Sequence, residues 1–493
     1  MTEEERKLPL RAALAVSVSK TAAALSRATG RGDGSVIGGR IGMMIDPDLL
    51  AHLADGRQIA LVSGTNGKTT TTRFTAAAIG VLGDVATNSF GANMPTGHTS
   101  ALAKAGATRY AVLEVDEHYL AQVITATKPL VVALLNLSRD QLDRAKEVAM
   151  MAQLWRDTLA ANPNVHIVAN ADDPMVVYAA IGAGVAIPAP RKPSDPPLAE
   201  LAVVPALATA TAPPAAPAAK SSAISVEAGR SSSTADVVDG EVIGDPIVEP
   251  EPAAPAATAP AASGRVTWFS AGQRWQEDSH VCPACGGHID RVDGGWACAN
   301  GDLRRPETQW SVADGKVIGP DGTAHEMNLQ LPGTVNLGNA ATALAVAARF
   351  GVSPAAAAPR LREVASVAGR YAQVDREGRN IRLLLAKNPA SWLEAFEMAD
   401  DAPTLLSINA RDPDGLDTSW LYDVDFAPLR GRQVLITGDR AMDLAVRLEV
   451  NEVPFTHVTT FAAALAAVPA GRLEVIANYT AFQDIRAELD RVV

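Results

Sequence analysis

The stretch IALVSGTNGKTTTTRF, residues 59–74, joins an apolar run to a glycine-rich turn and then to a helix-forming sequence. Its Gly64-x-x-Gly67-Lys68-Thr69 spacing is that of a phosphate-binding loop with two residues fewer between the glycines than the most familiar form. Such a loop lies between a strand and a helix, because backbone N–H groups at a helix N-terminus bind phosphate oxygens. The stretch therefore predicts a nucleotide site in an α/β domain.

The loop residues have different expected roles. We expect the Lys68 ammonium to reach the terminal phosphates and the Thr69 hydroxyl to bind Mg²⁺. Lys68 is also a predicted catalytic residue, because it neutralises charge during phosphoryl transfer. The predicted nucleotide contacts of the loop are Gly64, Thr65, Asn66, Gly67, Lys68, Thr69 and Thr70.

Acidic residues follow the next predicted strand, in LEVDEHYL (113–120). Glu114 lies at the carboxyl end of that strand, where open α/β sheets bind ligands. It is the predicted catalytic and magnesium-binding carboxylate. Asp116 and Glu117 are alternatives, although a solvated carboxylate at a strand end is the more ordinary interpretation of both.

A second polar segment, NLSRDQLDR (136–144), follows another apolar run. It places Asn136, Asp140 and Asp143 at a similar edge of the sheet. Either one or more of them faces the nucleotide, or Asp140 caps a helix.

At 493 residues the chain is long enough for two or three domains. Apolar runs alternate with helix-like sequences on both sides of an Ala/Pro-rich segment, which predicts two α/β units with parallel strands. The Ala/Pro-rich segment is predicted to be disordered, because it has too little apolar surface to offset its chain entropy. The predicted units are an N-terminal helical entry (1–54), a central nucleotide-binding domain (55–353) with a disordered insertion (188–263) and a zinc-ribbon-like insertion (278–306), and a smaller Rossmann-like α/β domain (354–493).

The formal net charge of −12 argues against a general nucleic-acid or anionic-membrane surface, although local basic pockets are compatible with it. The opening MTEEERK lacks the basic start of a secretory signal. The following LPLRAALAVSVSKTAAALSR predicts an amphipathic helix. No apolar run reaches the roughly 20 residues that a membrane-spanning helix needs. We therefore expect a soluble, cytoplasmic protein.

All three cysteines of the chain fall in CPACGGHIDRVDGGWACANGD (282–302), at Cys282, Cys285 and Cys298. Clustered cysteines in a cytosolic chain predict a metal site before disulfides. A zinc ribbon has two CxxC pairs, and here Gly301 stands where the fourth cysteine belongs. Either another ligand completes a structural zinc site, or the ribbon is held by packing alone. The candidate fourth ligands are His280, His288 and Asp302.

Several motifs together resemble one family. GTNGKTT (64–70), the acidic residue after the following strand, NLSRDQLDR, ANADDP (169–174) and LPGTVNLGNAATALA (331–345) resemble the central ATPase domain of the Mur ligases. NSFGANMPTG (88–97), KNP (387–389) and DGLDTSWLYDVDF (414–426) are similar to the Mur-ligase-like subunits of lipid II isoglutaminyl synthase, the MurT family. Gln141 agrees with that branch, because amino-acid-adding Mur ligases usually carry His there. The resemblance covers nearly the whole chain except the Ala/Pro-rich segment.

The resemblance implies a Mur-ligase-type ATP-binding central domain and a defined reaction. Such subunits use ATP to activate the D-glutamate α-carboxyl of the lipid II stem peptide as an acyl phosphate, at the cytoplasmic face of the membrane. Ammonia from a partner glutaminase of the GatD type then gives D-isoglutamine. The implied cofactors are ATP, Mg²⁺ and structural Zn²⁺.

The resemblance also implies site residues outside the loop. Asn336 and Asn339 are implied nucleotide contacts, although helix capping explains Asn336 as well. The KNP motif is expected to contact the carboxyl substrate or the nucleotide, but Ser391 stands where glycine is usual and argues against a close backbone approach.

The acidic loop RDPDGLDTSWLYD (411–423) contains two further predicted catalytic residues, Asp414 and Asp417. We expect one of them to face the glutaminase and to orient its catalytic His across the interface. The alternative is an ordinary exposed acidic loop.

Two other functions fit parts of the sequence. A Mur-type or folylpolyglutamate-type ligase adds an amino acid, but the stretch before Gly64 is too short for a Mur nucleotide-sugar domain, and Gln141 replaces the His of both types. A non-catalytic, nucleotide-dependent scaffold for a glutaminase is the other alternative. The intact loop together with Glu114 argues against that scaffold.

Overall fold

The computed structural model of the chain describes residues 8–28, 35–88, 92–139, 148–182, 264–272, 275–292, 295–301, 303–367, 370–399 and 401–490. The predicted disordered segment, Asp140, Gln141, Asp143 and Asp302 lie outside these ranges. Within the described ranges, no helix combines the length and the apolar character needed to cross a membrane.

The first half of the chain forms a six-stranded sheet in which every pair of neighbouring strands is parallel. Its strands are β1 (Gln58–Ser63), β2 (Val85–Thr87), β3 (Tyr110–Val115), β4 (Val131–Leu134), β5 (His166–Asn170) and β6 (Val266–Phe269). They lie in the order β2-β3-β1-β4-β5-β6, so the strand that leads into the phosphate-binding loop is central. Apolar runs that are buried on both faces are typical of such strands, and the sequence predicted them.

Helices cover both faces of this sheet. They are α1 (Leu10–Ala28), α2 (Ser35–Ile45), α3 (Leu49–Ala54), α4 (Lys68–Ile79), α5 (Pro95–Lys104), α6 (Leu120–Thr127), α7 (Val148–Ala161), α8 (Pro174–Ile181) and α9 (Thr334–Arg349). The alanine-rich α9 packs against α4 and the sheet, and its small side chains allow a close approach.

Two small antiparallel sheets lie between β6 and α9. One is the hairpin of β7 (Ile289–Val292) and β8 (Gly295–Cys298), in the cysteine-containing segment. The other joins β9 (Ser311–Ala313), β10 (Lys316–Ile318) and β11 (Ala324–Glu326).

The last part of the chain forms another six-stranded sheet, with the order β12-β13-β17-β14-β15-β16. Only the edge strand β12 is antiparallel to its neighbour. The elements are α10 (Pro354–Arg362), β12 (Tyr371–Arg376), β13 (Arg379–Leu385), α11 (Pro389–Met398), β14 (Thr404–Ser407), β15 (Val434–Thr437), α12 (Ala441–Val450), β16 (Phe455–His457), α13 (Phe461–Ala467), β17 (Gly471–Ala477) and α14 (Tyr479–Asp490). This part of the chain is therefore an α/β unit.

One buried apolar cluster extends from the first sheet to the last. It contains Phe74 of α4, the alanines of α9, and Trp392 of α11. Trp392 is fully buried and packs against Trp420, with ring centroids 6.1 Å apart. This shared core holds the carboxyl edge of the second sheet against the phosphate-binding loop.

Candidate active site

The glycine-rich turn adopts the geometry of a phosphate-binding loop. Gly64 and Gly67 have positive φ angles of 147° and 81°, and α4 begins immediately afterwards at Lys68. A Cβ at Gly64 would lie 2.8 Å from the Leu135 side chain, and one at Gly67 would lie 2.9 Å from Asn339 Oδ1. Both positions therefore require glycine, because neighbouring residues leave no room for a side chain.

The segment after β4 fixes the shape of the loop. Asn136 Oδ1 accepts from the Asn66 backbone N–H (2.8 Å), and Asn136 Nδ2 donates to the Asn66 carbonyl (3.1 Å). Thr65 and Ser138 exchange a similar pair of hydrogen bonds. Asn136 therefore fixes the backbone conformation of the loop at Asn66. Asp140 and Asp143 of the same motif lie outside the described residues.

The Lys68 ammonium is buried beneath the loop. It donates to the carbonyls of Gly64 and Thr65 and pairs with the Glu117 carboxylate at 3.0 Å. Glu117 is 8% exposed, so the expectation that it is a solvated carboxylate is wrong. The short turn after β3 folds Glu117 back towards α4, a tertiary contact that strand and helix patterns do not reveal.

Glu114 lies on the same face of β3 as Val112, which packs against α4. Its backbone N–H and carbonyl are held by the Asn88 side chain, and the carbonyl also accepts from His98 Nε2 at 2.7 Å. Burial lowers the pKa of His98 to about 4, so that ring is neutral at physiological pH. The Glu114 carboxylate is 5% exposed, and the described residues provide it with no hydrogen bond or ion pair.

Two residues from the second half of the chain contact the loop region. Arg370 Nε donates to the Thr69 hydroxyl at 2.9 Å, and Asn388 Nδ2 donates to Asn66 Oδ1 at 3.2 Å. Asn388 also begins α11 in a capping box with Ser391, so serine replaces the usual glycine without preventing this approach. Sequence reasoning did not identify Arg370, although a basic residue just before a strand was the available signal.

Asn339 and Asn336 of α9 lie beside the loop in a chain of hydrogen bonds. Thr71 Oγ1 donates to Asn339 Oδ1 (3.1 Å), and Asn339 Nδ2 donates to Asn336 Oδ1 (3.1 Å). The capping alternative for Asn336 is wrong, because Gly333 is the N-cap and Asn336 lies inside the helix. Of these two asparagines, Asn339 lines the neighbouring pocket, whereas Asn336 contacts Asn339 and is not part of the pocket wall.

That pocket opens beside Asn66 and Gly67, between the first sheet and the starts of α9 and α11. Its walls include Asn170, Phe269, Trp275, Thr342, Glu394 and Glu397. Burial raises the pKa of Glu394 to about 7, and the adjacent Glu397 carboxylate adds to this shift. A pocket with apolar, amide and carboxyl groups next to a phosphate-binding loop has the composition that a nucleoside needs.

The three cysteine thiols lie within 4.8 Å of one another. Backbone hydrogen bonds from Gly286 to Cys282 and from Gly301 to Cys298 give both halves of the hairpin the turns of a zinc ribbon. Burial raises the pKa of Cys282 to about 12, so a bound cation is needed to hold it as a thiolate. The thiol spacing and this chemistry fit a metal ion.

The described candidates for a fourth ligand do not join this group. The imidazoles of His280 and His288 pair instead with Glu277 and Asp290. Among the described residues, the Asn300 side chain contacts the cluster, with its Nδ2 3.4 Å from Cys285 Sγ.

Asp414 and Asp417 lie on the loop after β14 but have different environments. Asp414 accepts from the backbone N–H (2.8 Å) and the hydroxyl of Thr480, and so ties the loop to the start of α14. Asp417 is exposed, and the Ser419 backbone N–H lowers its pKa. The structure therefore does not group these two carboxylates with Lys68 and Glu114.

Comparisons with known proteins agree with this arrangement. Residues 62–187 match the Mur ligase middle domain, and residues 385–482 match the MurT ligase C-terminal domain. The chain is 24% identical to the lipid II isoglutaminyl synthase (glutamine-hydrolyzing) subunit MurT of Staphylococcus aureus (strain COL), over 97% of each protein.

The chain therefore resembles the Mur ligases, with one segment that matches their middle domain and another that matches the MurT-type C-terminal domain.

Solved structures share its fold. A pseudomurein peptide ligase type C from Methanothermus fervidus matches with a TM-score of 0.56 and 14% identity, over 89% of this chain and 79% of that one. Mycobacterium tuberculosis folylpolyglutamate synthase, solved with ADP and AMPPCP, matches with a TM-score of 0.50 and 14% identity, over 90% and 93%. The resemblance of the sequence to the MurT branch of the Mur ligase superfamily is confirmed.

Proposed function

We propose that the chain is the ATP-dependent ligase subunit of a lipid II isoglutaminyl synthase. It converts the D-glutamate α-carboxyl of the lipid II stem peptide to the amide, in the cytoplasm, during peptidoglycan synthesis. The observation that carries the proposal is the contact of Asn388 with Asn66, because it joins the phosphate-binding loop to the segment that matches the MurT ligase C-terminal domain.

The chemistry requires activation of a poor electrophile. ATP supplies a phosphoryl group, and its transfer to the carboxylate gives an acyl phosphate and ADP. Ammonia then attacks the acyl carbon, and inorganic phosphate leaves with the carboxyl oxygen. The role of the protein is to orient the reactants and to neutralise charge, which Lys68 and Arg370 do from two sides of the loop.

The residues around the loop fit a magnesium ion. The Glu114 carboxylate is near the end of β3, in register with Val62 of β1, and the Thr69 hydroxyl is in the first turn of α4, which follows β1. Both groups are hard oxygen ligands. The buried Glu114 carboxylate also has no other partner among the described residues, and such a charge is costly unless a cation balances it. In this proposal Mg²⁺ screens the charge of the phosphates.

The cysteine hairpin is proposed to hold a structural Zn²⁺, in a module inserted into the central domain. Zinc with three thiolates needs one further ligand, which water or an amide oxygen supplies. The hairpin packs its Trp296 indole against the end of β5, where the indole donates to the Ala171 carbonyl at 2.9 Å. Metal binding there stabilises the wall of the nucleotide pocket and takes no part in the chemistry.

A partner glutaminase is proposed as the source of ammonia. All three cysteines belong to the metal-like cluster, so the chain has no separate thiol nucleophile for glutamine hydrolysis. Asp417 lies on a loop that packs on α12, where Thr418 Oγ1 donates to Asp443 at 3.0 Å. Leu416 and Tyr422 near this loop and Met442 of α12 are each exposed, and they are proposed to contact a protein partner of the GatD type.

The proposal is tested by mass spectrometry of lipid II incubated with the chain, ATP and Mg²⁺. We expect replacement of the carboxyl hydroxyl by an amino group with ammonium alone, and with glutamine only when the glutaminase is present. Lys68→Ala should abolish both reactions, while the exposed Lys316→Ala should not. Addition of an amino acid would support the Mur-type alternative, and an unchanged product despite nucleotide binding would support the scaffold; either result would overturn the proposal.

A further inference from the structure

The first two helices of the chain differ in charge from the rest of the protein. In residues 8–28 and 35–45, four side chains are basic and none is acidic, whereas the whole chain has a formal charge of −12. The basic residues are Arg11, Lys20, Arg27 and Arg40, and all four are exposed. The described residues of α1 and α2 are therefore basic, although the chain as a whole is acidic.

The same two helices expose large apolar side chains. On α1, Leu10, Leu14 and Leu25 are 92%, 59% and 65% exposed, and they lie within about 60° of one another around the helix axis at about 100° per residue. On α2, Met44 is 76% exposed, and Val36 lies on the same side. Scattered exposed apolar residues are ordinary, but a stripe flanked by basic residues is not.

Small residues orient these stripes outwards. Gly38 and Gly42 of α2 pack against Ser19 of α1, where added Cβ atoms would lie 3.0 Å from the Ser19 carbonyl and 3.3 Å from its Cβ. Arg11 Nε donates to the Ile45 carbonyl at the other end, so the helices are antiparallel. The buried sides of the helices are thus filled by small residues, and the large side chains remain outside.

This helical pair packs on α5, close to the end of β3 that contains Glu114. Gly39 of α2 packs directly on the Thr96 carbonyl at the start of α5. The segment before α5 contacts the end of β3, where Asn93 accepts from the Asp116 backbone N–H (3.0 Å) and Asn88 holds Glu114. A short and rigid path therefore connects the exposed helices to the predicted magnesium carboxylate.

We propose that the outer faces of α1 and α2 bind the surface of an anionic membrane. The leucines and Met44 enter the boundary between headgroups and acyl chains, while the basic residues at their sides contact lipid phosphates. An acidic lipid surface is the partner that complements both the apolar stripe and the single sign of charge. The sequence-based expectation that the chain has no general anionic-membrane surface still describes the rest of the molecule.

The consequence for catalysis rests on the proposed function. If the acceptor is lipid-linked, binding by α1 and α2 brings the Glu114 side of the site to the membrane surface that contains it. Amidation of lipid II in vesicles then benefits from surface binding, whereas amidation of a water-soluble stem peptide does not.

The test is flotation of the full chain with two kinds of vesicle. One contains phosphatidylcholine alone, and in the other phosphatidylglycerol makes up about one third of the lipid. We expect binding to the anionic vesicles that weakens as salt is added. Leu14→Glu with Leu25→Glu should lower the partition coefficient about tenfold or more. Lys20→Gln with Arg40→Gln should lower it about fivefold for each charge removed. Val450→Glu, at a position as exposed as Leu25, is the matched control and should bind normally.

Equal partition into both kinds of vesicle, or normal partition of the leucine variant, would overturn the proposal. Loss of glutaminase binding by that variant, without any vesicle binding by the wild type, would instead identify a protein-docking face. Thermal unfolding and ATP binding show whether each variant is folded. Failure of the wild type to amidate any acceptor would contradict the proposed function and leave the vesicle result unaffected.

Discussion

The Arg370 guanidinium donates from Nε to the Thr69 hydroxyl across 2.9 Å, although the two residues are 301 positions apart. Thr69 is the second residue of α4, and Arg370 immediately precedes β12. The contact brings a positive charge from the C-terminal half to the place where the phosphates of a nucleotide are expected. The two halves of the chain thereby contribute to one site.

Replacement of Arg370 by Lys should lower the rate of amidation about a hundredfold, because lysine loses the fixed geometry of the guanidinium donor. We expect kcat to fall more than the affinity for ATP, since the charge is needed most during phosphoryl transfer. Steady-state kinetics and ATP titration measure the two effects. Arg430→Lys on the surface is the control, and equal kinetics of the two variants would refute the role of Arg370.

Replacement of Glu117 by Gln should destabilise the nucleotide-free chain by about 3 kcal/mol, because it leaves the buried Lys68 ammonium without its carboxylate. ATP with Mg²⁺ should recover part of this loss, since phosphates then balance the charge. Thermal unfolding with and without nucleotide tests both statements. The exposed Glu326→Gln should leave the melting temperature unchanged, and an unchanged melting temperature for Glu117→Gln would contradict the burial of the pair.

Glu394 should make stability depend on pH. Its pKa is about 7 in the folded chain and near 4.5 when unfolded, so the stability it contributes is complete below about pH 4.5 and is lost as pH rises through 7. Glu394→Gln removes this loss. The melting temperature of the variant relative to wild type should therefore rise between pH 5 and pH 8, on the order of 2 °C or more. A constant difference across that range would show that Glu394 titrates normally.

The metal site should contain zinc even with three cysteines, and chelation should lower the melting temperature of the chain. Asn300→Cys should increase zinc affinity, since its side chain already lies beside Cys285. Gly301→Cys should increase it less, because Gly301 has a φ of 81°, which strains other residues. Metal analysis after dialysis against a competing chelator ranks the zinc affinities of the two variants. A higher affinity for Gly301→Cys than for Asn300→Cys would refute position 300 as the better place for a fourth ligand.

The two aspartates of the acidic loop should behave differently. Asp414→Asn should lower the melting temperature, because it weakens the attachment to Thr480. Asp417→Asn should leave the melting temperature unchanged and reduce glutamine hydrolysis by the complex about 10⁴-fold, as loss of an orienting carboxylate does. Glutaminase turnover and thermal unfolding are the measurements. Normal turnover in both variants would exclude a catalytic role for this loop.

Local sequence patterns predicted the elements that depend on local physics. The run before Gly64 and the helix former after Lys68 predicted β1, the loop and α4, because glycine turns and buried strands have strong signatures. The helical entry of residues 1–54 was predicted without the bounds of α2, since the glycines of α2 disfavour helices in isolation. Their close packing against α1 and α5 outweighs that preference.

Sequence patterns did not predict the contacts between residues that are distant in the chain. The contact of Arg370 with Thr69 forms only when the two halves of the chain pack together. The contact of Glu117 with Lys68 forms only when the turn after β3 packs against the start of α4. A charge pattern cannot distinguish a solvated carboxylate from one folded beneath a loop. The roles of Glu114, Asp414 and Asp417 stay predictions that the variants above examine.

The most direct test of the central claim is oxygen transfer from the acceptor to phosphate. Lipid II carrying ¹⁸O in the D-glutamate α-carboxyl is amidated with ATP, Mg²⁺ and ammonium, and the released phosphate is examined by mass spectrometry. An acyl phosphate transfers one carboxyl oxygen to phosphate, so we predict labelled phosphate in step with amide formation. Unlabelled phosphate accompanying the amide would contradict carboxyl activation at the loop of Gly64 and Lys68.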